Sequence, residues 1–138
     1  MKSSSVVIKA RDTLALAAAP TNFYQFERDM KSFKNELEKR IQYLENIKPK
    51  DVKAVFRSDL EAEPLMVILK TFLQQDSAWF ASHQDYLSSF MGALVAVEPF
   101  EMCCEFLDDG EKETVRTLVN KIENSQNIKK RFTDIAEI

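Results

Sequence analysis

Glycine and proline are scarce in this chain of 138 residues, with two and four copies. A turn-rich sandwich or barrel needs more of both, so the scarcity excludes those β architectures and favours helices joined by short connections. Cysteine is confined to the adjacent pair Cys103 and Cys104. Neighbouring thiols make no secreted disulfide framework, and a bond between them would be strained. They read as two reduced small hydrophobes, which suits a reducing compartment. Histidine occurs once, at His83, without the spaced Cys or His partners that a zinc site requires. There is no Gly-rich phosphate loop and no nucleophile elbow. A basic field is also missing: the net charge is −3, and the single basic cluster, Lys129-Lys130-Arg131 beside Lys121, reads as a solvated helix face. Nucleic acid is therefore not an expected partner. No run approaches the ~18 apolar residues of a membrane span, and the weakly polar stretch Thr13 to Pro20 follows Arg11-Asp12. Neither a membrane segment nor a signal peptide is expected.

What is present is ordinary for one soluble globular domain: apolar residues make up 45% and charged residues 30%. A chain this long buries roughly two-thirds of its unfolded surface, enough for a core without metals, cofactors or disulfides. Ten phenylalanines supply large rings for that core.

Residues 1–20 read as a linker that Pro20 closes, residues 21–123 as a helical domain and residues 124–138 as a tail with room for a short helix. Phe23, Phe26, Met30, Phe33 and Leu37 recur every three or four residues, with Thr21 or Asn22 as N-cap. After a break near Asn35, Leu37, Ile41, Leu44 and Ile47 form a second stripe. Lys48-Pro49 opens a third helix carrying Val52, Val55 and Phe56. Ser58 and Glu61 have capping-box spacing before the strongest stripe, Leu65, Ile68, Leu69, Phe72 and Leu73. Asp76 or Ser77 caps one long central helix from Trp79 to Val95. Pro99 opens a short sixth helix. Asp108 and Glu111 have capping-box spacing ahead of a seventh, which carries Val115, Leu118, Val119 and Ile122. The expected fold class is all-α, a compact bundle of six or seven short-to-medium amphipathic helices.

The sixth helix is the informative one. Met102, Glu105 and Phe106 fall on one side; Phe100, Cys103 and Leu107 fall on another. A helix of two turns cannot stand alone, and a small bundle covers one such side fully. The other side, with Met102 and Phe106, is a candidate docking surface. Catalytic readings are weaker. Cys103 and Cys104 lie near a helix N-terminus, where thiol pKa values fall, but no neighbouring base supports a nucleophile. The acidic pairs Asp108-Asp109 and Glu61/Glu63 suit helix N-termini. No catalytic residue, cofactor or metal is expected.

Three stretches resemble the C-terminal domain of RNA polymerase II-associated protein 3, shared with sperm-associated antigen 1 and related assembly factors. They are Asn22-Phe23-Tyr24-Gln25-Phe26-Glu27-Arg28-Asp29; Gln42-Tyr43-Leu44 followed by Ile47, Pro49 and Phe56; and Pro99-Phe100-Glu101-Met102 through Phe106-Leu107 to Glu111-Lys112. They agree in order and spacing over about residues 20–123. The resemblance implies a non-catalytic helical adaptor that docks on a hexameric RuvB-like AAA+ ATPase, preferentially the reptin paralogue. It places the domain in a co-chaperone that assembles RNA polymerases, small nucleolar ribonucleoproteins and PI3-kinase-like kinases. It also implies heat-shock chaperone binding through upstream repeats that this chain lacks. Carried across, the partner-binding residues are Pro99, Met102, Glu105 and Phe106. Pro99 stands where the family often has a basic residue, Glu105 where it often has an apolar one, and Met30 where a Trp is common. The expected location is cytoplasmic, with nuclear presence allowed, and the domain alone is expected to be monomeric. Two rival readings follow from the residues: self-association through the Phe23–Leu37 stripe, and a small-ligand pocket around His83, Trp79 and Tyr86.

Overall fold

Each apolar stripe buries against another, and the result is an all-α bundle. The computed structural model describes residues 19–57, 59–123, 126 and 128–130. Among them are eight helices: α1 (Phe23–Ser32), α2 (Leu37–Glu45), α3 (Pro49–Phe56), α4 (Ala62–Leu73), α5 (Ser77–Ser82), α6 (Gln84–Leu94), α7 (Phe100–Glu105) and α8 (Asp109–Asn120). Residues 128–130 are helical as well, with Ile128 buried in the core. Of the linker expected over residues 1–20, residues 1–18 lie outside the described residues, as do 124, 125, 127 and 131–138 of the tail expected over 124–138.

Local chemistry sets the helix boundaries. The Asn22 side chain accepts a hydrogen bond from the Gln25 N–H at 2.8 Å, and Asp76 does the same for Trp79 at 2.9 Å. Asp108 and Glu111 close a reciprocal capping box at the start of α8. Pro49 takes the first turn of α3, where its missing N–H has no cost. The turn between α1 and α2 is held by Arg40, which donates to the carbonyls of Phe33 and Lys34.

Two expectations are corrected here. The spacing of Ser58 and Glu61 does not cap α4: Glu61 is itself the N-cap, without a side-chain bond, and Ser58 lies outside the described residues. The long central helix is two helices, α5 and α6, broken at His83. Ser82 Oγ donates to the Trp79 carbonyl at 3.1 Å, and His83 Nδ1 lies 2.8 Å from the same oxygen. Polar side chains thus occupy a carbonyl that a continuous helix would reserve for a backbone N–H.

The core has two aromatic halves. Phe26 meets Phe56 edge-to-face at 4.9 Å, with Phe23 and Tyr43 alongside, and this joins α1, α2 and α3. Phe72 meets Trp79, Tyr86 and Phe90, which joins α4, α5 and α6. α3 lies along α6, and α4 contacts α2, α7 and α8. The polar tips are satisfied: Tyr43 donates to Asp29 at 2.7 Å, Tyr86 to the Leu44 carbonyl at 2.6 Å, and Trp79 Nε1 to Glu45 at 2.8 Å. Burial drives both phenols well above their ordinary pKa; the hydrogen bond to Asp29 adds to the effect at Tyr43. Gln84 ties the start of α6 to the end of α8, donating to the Lys121 carbonyl and accepting from the Glu123 N–H.

Candidate functional site

Pro99 is the N-cap of α7, and its carbonyl accepts from the Cys103 N–H at 3.0 Å. The helix is six residues long, too short to persist without tertiary contacts. Those contacts come from its inner side: Phe100, Cys103, Cys104 and Leu107 are all buried. The Cys103 S–H donates to the Leu60 carbonyl at 3.1 Å, which fastens α7 to the segment leading into α4. Cys104 joins Phe100, Cys103 and Leu107 on the inner side, a placement that the spacing alone left open.

That anchoring decides the outer edge. Met102 is 62% exposed and Phe106 is 73% exposed, four residues apart on one side. Glu105, between them in sequence, is exposed, and Pro99 is half-buried at the near end. The four residues chosen from sequence therefore lie on one short element, and its two large apolar side chains face solvent. An isolated exposed hydrophobe is common on protein surfaces; two at helical spacing on a pinned helix form a contiguous edge.

The edge extends further than the sequence indicated. A groove runs from Pro99 and Met102 to Tyr24 on α1, floored by Phe23 and Leu60. Tyr24 is 72% exposed. Its signal in the sequence was negative: a large ring that falls off the Phe23–Leu37 stripe has no place in the core. Glu27, Asp59, Glu61 and Glu98 also line the groove.

Other candidates resolve differently. Cys103 is no activated nucleophile, because burial, with Glu61 nearby, pushes its thiol up to about 11. Among the described residues, no group of three or more His, Cys, Asp or Glu side chains could hold a metal ion. His83 stacks on Trp79 at 4.3 Å, meets Tyr86 edge-on and lies 3.2 Å from Glu45. The three residues once considered for a ligand pocket are thus packed against one another. The stripe considered for self-association is used internally: Phe23, Phe26 and Met30 are buried, and Phe33 packs on Tyr43 at 5.5 Å.

Comparison with known proteins agrees with this architecture. Over 123 residues the chain is 26% identical to RNA polymerase II-associated protein 3 of Xenopus laevis, covering 86% of this chain and 18% of that protein. The human protein of the same name is 25% identical over 127 residues, covering 87% and 19%. The chain thus spans less than a fifth of the length of these relatives. The solution structure of the C-terminal domain of human RPAP3 superposes with a TM-score of 0.71 at 24% identity, covering 83% of this chain and 89% of that domain; this likeness bears on the fold. A family profile described as the potential Monad-binding region of RPAP3 matches residues 19–112. That match takes in α1 through α7 and the start of α8, and the chain belongs to this RPAP3 C-terminal family.

Proposed function

We propose that this domain is a non-catalytic adaptor that docks on a RuvB-like AAA+ ATPase ring through the outer edge of α7, with the reptin paralogue as the preferred subunit. Met102 and Phe106 are the anchors, Glu105 the polar contact between them, and Pro99 the border. The observation that carries this reading is the pairing of a fully anchored inner side with an exposed Met and Phe on the outer side of the same two-turn helix. Flexible sulfur and a rigid ring suit a protein groove, and such anchors carry most of an interface's energy. Family membership supports a protein-binding role. In this reading the domain belongs to a co-chaperone that assembles multiprotein complexes in the cytoplasm and nucleus, with a heat-shock chaperone held by repeats elsewhere in the parent protein, and the domain alone is monomeric. A second reading is favoured by the family's description: the partner at the same edge is Monad.

The test is side-by-side capture of each purified RuvB-like protein and of Monad by the parent chain and by a Met102→Asp/Phe106→Asp variant. The ring should be retained by the parent and lost by the variant, with helicity unchanged. Capture of Monad alone would replace the first reading by the second. Equal capture by both chains would remove the edge from the interface.

A further inference from the structure

The charged side chains that line the groove between α1 and α7 are all acidic. Glu27, Asp59, Glu61 and Glu98 line it, and none forms an ion pair among the described residues. Further along the chain, Asp108 and Glu111 close the capping box of α8 and Asp109 faces the positive end of that helix, as Glu61 does at the start of α4. No lysine or arginine occurs from Glu98 to Glu111, so the outer side of α7 has no cation of its own. On α1, Arg28 lies over the Tyr24 ring at 5.9 Å and is turned toward Asp29. Four carboxylates beside an apolar floor present charge of one sign, which a cationic partner complements.

We infer that the docking surface continues from α7 across this groove to Tyr24, and that its occupant is a protein segment bearing lysine or arginine. An apolar side chain of that segment enters between Tyr24 and Met102, while its cations face Glu61 and Glu98 on either side. The inference rests on the docking reading above and adds the partner's chemistry to it. Rim charges govern encounter and salt dependence, whereas the apolar anchors govern residence.

The deciding experiment is an NMR titration of the isotope-labelled full chain with a short synthetic peptide in which lysine and arginine alternate with leucine and phenylalanine. Its counterpart carries glutamate at every basic position. The basic peptide should shift the amides of Tyr24, Leu60, Glu61, Glu98 and Met102. Its affinity should fall at least about tenfold between roughly 0.05 and 0.5 M salt. It should fall comparably in the Glu61→Lys/Glu98→Lys variant and in Tyr24→Ala, all of which alter exposed side chains. Equal binding of the acidic peptide, shifts centred elsewhere, or indifference to these substitutions would overturn the inference. Concentration-dependent shifts of the same amides without peptide would also overturn it, because a second copy of the chain would then be the occupant. The parallel capture of the ATPase ring separates the two failures. A ring that is not bound while the basic peptide fills the groove removes the docking reading alone. A ring that is bound while the peptide is ignored removes this inference alone.

Discussion

Helices α1 and α7 use the same kinds of side chain and treat them in opposite ways. In α1, Phe23, Phe26 and Met30 fall on one stripe, and the bundle buries all three, the two rings against Phe56 and Tyr43. In α7, large apolar residues fall on two sides, and only the side with Phe100, Cys103, Cys104 and Leu107 is taken up. Exposure therefore follows from angular arrangement more than from hydrophobicity. A stripe one face wide is satisfied by one neighbour, whereas a peripheral helix with two apolar faces has a neighbour for only one.

Substitutions that exchange the roles of these helices can break this comparison. The largest effect is expected in the α1–α3 half: Phe56→Ala removes a fully buried ring and should lower unfolding free energy by about 3–5 kcal/mol, read by chemical denaturation. A loss below about 1 kcal/mol would mean that this half is not the tight core it is taken to be. Next is Met102→Asp/Phe106→Asp. Stability should stay within about 0.5 kcal/mol, while partner affinity drops by at least ~2 kcal/mol per anchor. A marked loss of stability would show that the outer edge contributes to the fold.

The Cys103 thiol tests how firmly the inner side of α7 is seated. Its folded pKa is raised to about 11 from an ordinary 9.0, so its contribution to stability is complete below about pH 9 and is lost as the pH rises toward 11. Unfolding free energy should decline across that window, and Cys103→Ala should remove the part of the decline that begins near pH 9, before the tyrosines titrate. The smallest effect is at the start of α8. Asp108→Ala opens the capping box and should cost about 1 kcal/mol by thermal melting, with partner affinity little changed.

Much of the fold was legible from residue spacing. The stripes of α1, α3, α4 and α8, the caps at Asn22, Asp76 and Asp108, and the proline starts at Pro49 and Pro99 all depend on chemistry within a few residues. The break at His83 was not legible, because the apolar stripe from Trp79 to Val95 runs through it without a lost beat. The interruption comes from Ser82 and His83 competing for one carbonyl, a matter of side-chain direction. At the site, the division of α7 into an inner and an outer side could be read from the sequence. The contribution of Tyr24 could not, since more than seventy residues separate it from Met102 and only the packing of α1 beside the segment before α4 brings them to one groove.

The central claim, that the outer edge of α7 is where a partner sits, is tested most directly by amide hydrogen exchange of the full chain with and without the RuvB-like ring. The account predicts new protection over residues 98–107, with the amides of Phe26 and Met30 in α1 unchanged. Protection of the α1–α3 half with α7 exchanging as before would contradict it.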